Sequence, residues 1–180
     1  GVHHLMTFAE MTGAQVYIVH LSCDEALREA LAARHRGVDV AIETLIQYLV
    51  LDKTDAEKPN FEGAKFVMST PLRDKRNQTV LGDGLRSGEI QTVGTDHAPF
   101  DFKTQKPMGR ADFTKIPNGI PSLEERVNLL FTHGVKTGKL DLHTFVNVAS
   151  TNAAKLFGLF PRKGAIQIGA DADLVVYDPD

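Results

Sequence analysis

A chain of 180 residues, 42% hydrophobic and 24% charged, is long enough to bury a core and is typical of globular proteins. Its net charge of −3 and lack of a basic run disfavour nucleic acid as a partner, and no apolar run approaches the roughly 18 residues of a membrane span. We therefore expect neither a nucleic-acid nor a membrane partner. The single cysteine, Cys23, excludes an internal disulfide framework and fits a reducing compartment, which predicts a cytoplasmic location.

Predicted strands and helices alternate along most of the chain. Residues 3–12 read as the end of a helix closed by Gly13, and residues 15–22 as a strand rich in β-branched residues. A helix over 23–35 follows, which we expect to open with a capping box of Ser22 and Glu25. Further strands are predicted at 38–46, 64–69 and 89–95, and further helices at 76–86, 122–135, 141–149 and 151–158. The tail, 164–178, predicts two short strands around a turn.

This alternation is typical of an α/β fold with a parallel sheet, and the apolar strands indicate a sheet covered on both faces. A doubly wound sheet and part of a (β/α)8 barrel both fit. No GxGxxG or GxxxxGKS loop is present, which disfavours a nucleotide-binding doubly wound sheet. The first residues already show the apolar periodicity of a helix and do not begin with Met, and the last residues follow a predicted apolar strand. We therefore expect a piece of a longer protein, and the alternative is a complete small domain.

Two residues of metal-ligand type follow predicted strands. His20 ends "VYIVH", and Asp96 follows "IQTVGT". In barrels the carboxyl ends of the strands carry the active site, and imidazole and carboxylate both suit zinc and related divalent ions. Taken alone, this spacing favours a hydrogen-bonded structural histidine and a turn-forming aspartate over a metal site. His97 either contacts substrate or supports its neighbour Asp96 within the loop, and the residues leave that choice open.

Longer stretches of the chain resemble the dihydropyrimidinase/D-hydantoinase family of cyclic amidohydrolases. They are "YIVHLSC", "FEGAKFVMSTPLRDK", "TQKPMGRADFTKIPNGIPSLEERVNLL" and "STNAAKLFGLFPRKGAIQIGADADLVVYDP". The resemblance implies the carboxyl-side portion of a metal-dependent (β/α)8 barrel over residues 1–160. It also implies that residues 161–180 return as strands of a small β-sandwich. The last three barrel strands would end near His20, Glu43 and Asp96.

The resemblance also implies a site. Family members hold two divalent ions, usually zinc, on a His-x-His pair, a carboxylated lysine, two further histidines and an aspartate. His20 matches the last histidine and Asp96 the aspartate, which serves as both ligand and proton shuttle, while the remaining ligands would lie upstream of residue 1. Ser69 and Asn118 match the positions whose backbone groups hold the cyclic amide substrate. Zinc is the expected metal, with manganese as the alternative, and the intact enzyme is expected to be a homotetramer acting in pyrimidine catabolism.

Several positions depart from the family pattern and leave substrate preference open. Leu45 and Ile46 replace a common Cys-Pro, Thr70 replaces a proline, and Ala98 replaces a frequent cysteine. A chain with two of the metal ligands is expected to be inactive alone. The alternatives are a non-catalytic dihydropyrimidinase-like scaffold protein, which the presence of both ligands disfavours, and an allantoinase or dihydroorotase relative, which "DFTKIPNG" disfavours.

Overall fold

The computed structural model describes residues 1–179. At its centre lies a parallel sheet formed by β1 (Val16–Ile18), β2 (Val40–Leu45) and β3 (Thr92–Gly94). The strands lie in the order β1-β2-β3, with Val16 paired to Val40 and Leu45 paired to Gly94. All three strands therefore end at the same edge, and the predicted α/β class with a parallel sheet is confirmed.

Helices connect and flank the strands. The α-helices are α1 (Val2–Thr12), α2 (Asp24–His35), α3 (Ile46–Val50), α4 (Lys53–Ala56), α5 (Arg76–Ser87), α6 (Arg126–Leu130), α7 (Leu142–Val146) and α8 (Asn152–Leu156). π-Helical turns extend α6 over Phe131–Val135 and α7 over Asn147–Thr151, and 3-10 turns cover Glu62–Phe66, Lys106–Gly109 and Phe113–Lys115. The predicted helices are confirmed, although α6 begins at Arg126 rather than at residue 122. Within residues 1–179, no helix has both the length and the hydropathy to cross a membrane.

The core lies around β2 because this strand is flanked on both sides by the other two. Six side chains of this core are at most 1% exposed. They lie in β2, α3, α5 and the residues just before β3: Ile42, Leu45, Ile46, Leu81, Leu85 and Ile90. Helix α3 follows β2 without a loop and packs on α5. This direct connection keeps the chain after β2 close to the sheet edge where the strands end.

The start of α2 differs from the prediction. The helix begins at Asp24, and the proposed capping box of Ser22 and Glu25 is wrong. Instead, the side-chain oxygen of Asn77 accepts a hydrogen bond from the N–H of Asp24 at 2.9 Å, while the Ser22 hydroxyl accepts one from Arg73 at 3.1 Å. Asn77 is 53 residues away in the sequence, so a local pattern could not reveal this cap.

The segment predicted as a strand at 64–69 begins as the 3-10 turn Glu62–Phe66, so that prediction is wrong. The chain turns sharply just before it, because Asn60 and Phe61 have φ of 58° and 70°. A Cβ on Gly63 would lie 2.0 Å from the carbonyl oxygen of Ala56, so this turn packs directly on the backbone after α4. Extended pairing cannot form where the backbone reverses in this way.

The predicted pair of strands in the tail is not found within residues 161–179. The apolar side chains of this segment are largely exposed, as at Ile166, Ile168, Val175 and Val176. A strand needs a neighbouring strand to satisfy its backbone groups, and none of the described residues supplies one here. The division of the chain into residues 1–160 and 161–180 stays a prediction.

Candidate active site

The two residues predicted as metal ligands lie just beyond strand ends on the same edge of the sheet. His20 follows the end of β1 by two residues, and Asp96 follows the end of β3 by two residues. Only β2 lies between them, and adjacent strands are about 4.8 Å apart, so their backbones are separated by about 10 Å. Side chains that converge from this separation can reach a common point above the end of β2.

Both residues hold an unusual backbone conformation. His20 has φ of 42° and Asp96 has φ of 44°, in the left-handed region that side chains other than glycine rarely adopt. Such a conformation costs about 1–3 kcal/mol per residue and persists only where the surrounding structure holds it. Two residues in this conformation beyond strand ends on the same edge of the sheet are typical of a functional site.

Glu43, near the end of β2, holds the backbone of His20. Its carboxylate accepts hydrogen bonds from the His20 N–H at 3.3 Å and from the Tyr17 hydroxyl at 3.0 Å. On the other side, the Thr70 hydroxyl donates to the His20 carbonyl at 3.3 Å. The carboxylate lies over Gly94, where a Cβ would approach Glu43 Oε2 to 2.5 Å. A residue with a Cβ at position 94 would therefore turn the Glu43 carboxylate away from its place beside His20.

The backbone before Asp96 is held in a similar way. The carbonyl of Thr95 accepts hydrogen bonds from the Gln47 amide at 2.5 Å and from the Ser122 hydroxyl at 3.2 Å. Burial, reinforced by the nearby charge of Asp96, raises the pKa of Tyr48 to about 12. Tyr48 therefore remains a neutral hydrogen-bond donor beside the carboxylate across the physiological pH range.

The functional ends of His20 and Asp96 are left free by this scaffold. Within residues 1–179, neither the imidazole nor the carboxylate has a hydrogen-bond partner. An imidazole nitrogen and a carboxylate oxygen are suitable ligands for zinc, which takes three or four protein ligands. No cluster of three or more His, Cys, Asp and Glu side chains is found in the described part of the chain. The pair therefore has the chemistry of two metal ligands, which is fewer than the three or four that a protein zinc site uses.

His97 lies beside Asp96 but makes a different kind of contact. Its Nδ1 accepts hydrogen bonds from the backbone N–H groups of Ser122 and Leu123, at 3.2 and 3.1 Å. Because both donors are amides, the neutral ring carries its proton on Nε2. His97 therefore fastens the loop after β3 to the segment that leads into α6.

Ser69 and Asn118, predicted to bind substrate, are exposed residues on two adjoining, largely buried segments. The N–H of Gly119 donates to the carbonyl of Val67 at 3.0 Å, which joins the segments directly. In the described chain, the backbone N–H and C=O groups of both Ser69 and Asn118 have no hydrogen-bond partner. Gly119 has φ of 142°, and a Cβ there would lie 2.5 Å from the carbonyl oxygen of Ala98. This contact brings the Asn118 segment against the loop that carries Asp96.

Two supporting residues have no clear signal in the sequence. Lys106, in a polar run that reads as surface, is buried and donates to three main-chain oxygens of the Ser69 and Asn118 segments. Tyr48 donates to the carbonyl of Thr70 at 2.7 Å, next to Ser69. Both contacts are long-range, so only the fold reveals them.

Comparison with known proteins places this geometry in a family. Residues 4–180 match the family described as the amidohydrolase family. The D-hydantoinase of Geobacillus stearothermophilus is 56% identical over 170 residues, which cover 94% of this chain and 36% of that protein. The structure of a D-hydantoinase (dihydropyrimidinase) from Thermus sp. is 61% identical with a TM-score of 0.97, over 99% of this chain and 39% of that one. The dihydropyrimidinase structure from Brevibacillus agri is 53% identical with a TM-score of 0.93, over 95% and 37%.

The chain thus spans 36–39% of the length of these relatives. The match covers the strand ends, the loops of Ser69 and Asn118 and the segment through α8. The resemblance to D-hydantoinases and dihydropyrimidinases seen in the sequence is confirmed, and the chain belongs to the amidohydrolase family.

Proposed function

We propose that the protein carrying this chain hydrolyses a cyclic amide, opening a dihydropyrimidine or hydantoin ring to an N-carbamoyl amino acid. The observation that carries the proposal is the sheet edge where His20 and Asp96 present unpartnered side chains. The relatives named D-hydantoinase and dihydropyrimidinase support the same substrate class. By this proposal the sheet is part of a (β/α)8 barrel, and residues 161–180 return to a small β-sandwich.

An amide resists hydrolysis because water is a weak nucleophile and nitrogen a poor leaving group. A bound divalent metal, proposed to be zinc with manganese as the alternative, supplies Lewis-acid activation of water and of the amide carbonyl. Asp96 takes the proton of the attacking water on a carboxylate oxygen and delivers it to the departing ring nitrogen, acting as general base and then general acid. His20 is proposed to bind the metal through its imidazole, with Glu43 and Thr70 holding its backbone.

The substrate ring is proposed to bind between the exposed residues Ser69 and Asn118. The unpartnered backbone groups of Ser69 and Asn118 supply donors and acceptors that match a cyclic imide, which itself presents N–H and C=O groups. His97, whose Nδ1 is occupied by two backbone amides, is proposed either to donate its Nε2–H to the ring or to support the loop beside Asp96. These contacts orient the ring so that its scissile amide faces Asp96.

The remaining expectations concern the whole protein. The single cysteine supports a cytoplasmic location, and the family resemblance implies a homotetramer in pyrimidine catabolism. We propose that residues 1–180 alone are inactive, because two ligands are fewer than a catalytic zinc site requires.

The test is turnover of hydantoin, dihydrouracil, allantoin and dihydroorotate by the intact metal-loaded protein and by its Asp96→Asn variant. We expect hydrolysis of hydantoin or dihydrouracil, and loss of at least about 100-fold in kcat when the proton shuttle is removed. A matched control is Asp101→Asn, an exposed aspartate in the loop that follows. Turnover confined to allantoin or dihydroorotate would favour that neighbouring activity. No turnover of any substrate by a metal-loaded protein would favour the non-catalytic scaffold reading.

A further inference from the structure

Lys106 is the largest side chain that the fold buries completely, with 1% of its surface exposed. Its ammonium donates to the main-chain oxygens of Val67, Pro117 and Gly119, at 3.1, 2.6 and 2.9 Å. An ammonium has three donors and no acceptor, so all of its hydrogen-bonding capacity is used. Burial lowers the pKa of Lys106. With every N–H directed to a carbonyl, the Lys106 nitrogen is held in a structural role.

The three oxygens belong to the two segments proposed to hold the substrate. Val67 precedes Ser69 by two residues, and Pro117 and Gly119 flank Asn118 on either side. The Val67 carbonyl also accepts a hydrogen bond from the Gly119 N–H at 3.0 Å. The Lys106 side chain therefore links the two segments in addition to the direct hydrogen bond between them.

Peptide geometry also sets the direction of the free groups of Asn118. The C=O and N–H of a trans peptide point in opposite directions, and the peptides on both sides of Asn118 are trans. The Pro117 carbonyl points toward Lys106, so the N–H of Asn118 points away from it. The Gly119 N–H points toward Val67, so the Asn118 carbonyl points away from that segment. Both polar groups of Asn118 are therefore turned away from the protein interior.

We propose that Lys106 is a positioning residue for the cyclic amide, because its three hydrogen bonds hold the Asn118 segment against the Ser69 segment and turn the backbone groups of Asn118 outward. The inference rests on the proposed function for the identity of the ligand. It gives Lys106 no part in proton transfer, since it contacts neither His20 nor Asp96. Its loss should affect how well the ring binds more than how fast the bound ring reacts.

The test compares Lys106→Met with Arg34→Met in the intact, metal-loaded protein. Arg34 is a matched control, since its guanidinium also donates to main-chain carbonyls, including that of Val40 at 2.8 Å, but at the opposite edge of the sheet. For Lys106→Met we expect KM for the ring substrate to rise by about 10- to 100-fold, with a much smaller change in kcat. Arg34→Met should leave KM unchanged even where it lowers stability.

Hydrogen exchange supplies a second readout that needs no substrate. The Gly119 N–H donates to the Val67 carbonyl. Lys106→Met should increase the rate of hydrogen exchange at this N–H, and Arg34→Met should not. If Lys106→Met does not fold, Lys106→Gln, which keeps two neutral donors, should show the same changes to a smaller extent. Unchanged KM or unchanged Gly119 exchange would overturn the proposal. Lack of turnover by the unmodified protein would instead overturn the proposed function and the assignment of a cyclic amide as the ligand. Hydrogen exchange at Gly119 would still decide whether Lys106 orders the two segments.

Discussion

Replacing Gly119 with alanine should be among the most damaging changes of one methyl group in this chain. Gly119 follows Asn118, and its φ of 142° is one that residues with a Cβ rarely adopt. The new methyl would also lie 2.5 Å from both the Cβ and the carbonyl oxygen of Ala98. Backbone atoms cannot rotate aside as a flexible side chain does, so the two loops must separate.

The magnitude follows from these two separate costs. A disallowed backbone conformation costs about 1–3 kcal/mol, and an added methyl that forces the backbone to shift costs about 1–3 kcal/mol more. We therefore expect the free energy of unfolding to fall by about 2–6 kcal/mol for Gly119→Ala. Gly138→Ala isolates the first cost, because Gly138 has φ of 72° but nothing within 4 Å of a Cβ, and should lose only about 1–2 kcal/mol.

The assay is urea denaturation of both variants and the unmodified protein, with KM for the ring substrate measured in parallel. Gly119→Ala should lower the urea midpoint more than Gly138→Ala does, and it alone should raise KM, because it displaces Asn118. If the two variants lose the same stability and KM is unchanged, the close packing of the loops on Ala98 does not constrain the site.

Two further predictions concern the scaffold. In urea denaturation, Asn77→Ala should lower the free energy of unfolding by about 1–2 kcal/mol, because the Asp24 N–H loses its acceptor. Replacing the exposed Thr79 of the same helix with alanine should change the free energy of unfolding little. Equal effects of the two substitutions would contradict the long-range cap. The pKa values of Tyr17 and Tyr48 are raised to about 12 mainly by burial, so their contribution to stability is present below the unfolded pKa of about 10 and is lost as pH rises through about 12. Near pH 11 the ultraviolet absorbance of tyrosinate should therefore increase sharply on unfolding, and ionisation of both residues near pH 10 in the folded protein would refute the expectation.

Local patterns predicted the strands, the long helices and the positions of His20 and Asp96, because strand periodicity and strand ends are properties of short stretches. The same patterns failed where a distant residue decides the local structure. Asn77, rather than Ser22, caps α2 from a remote helix. The segment at 64–69 looks like a strand by composition, but the turn at Asn60 and the packing of Gly63 reverse the chain before it.

The predicted substrate residues show the same limit in the site itself. Ser69 and Asn118 were identified from the family resemblance, and composition or spacing would have left them as ordinary loop residues. The sequence does not predict Lys106 as a site residue, because a lysine in a polar run is normally solvated. Its burial follows from the convergence of three carbonyls contributed by two separate segments, which no local stretch of sequence encodes.

The contact between Glu43 and Gly94 also constrains how this sequence can change over evolutionary time. Any side chain at position 94 would strike the carboxylate of Glu43, with the first added carbon 2.5 Å from its oxygen. A shorter residue at position 43 would make room, but it would first release Tyr17 and the His20 amide. A residue with a Cβ at position 94 would turn the carboxylate aside and release the same two groups. We expect glycine to be kept at position 94 wherever Glu43 keeps these hydrogen bonds.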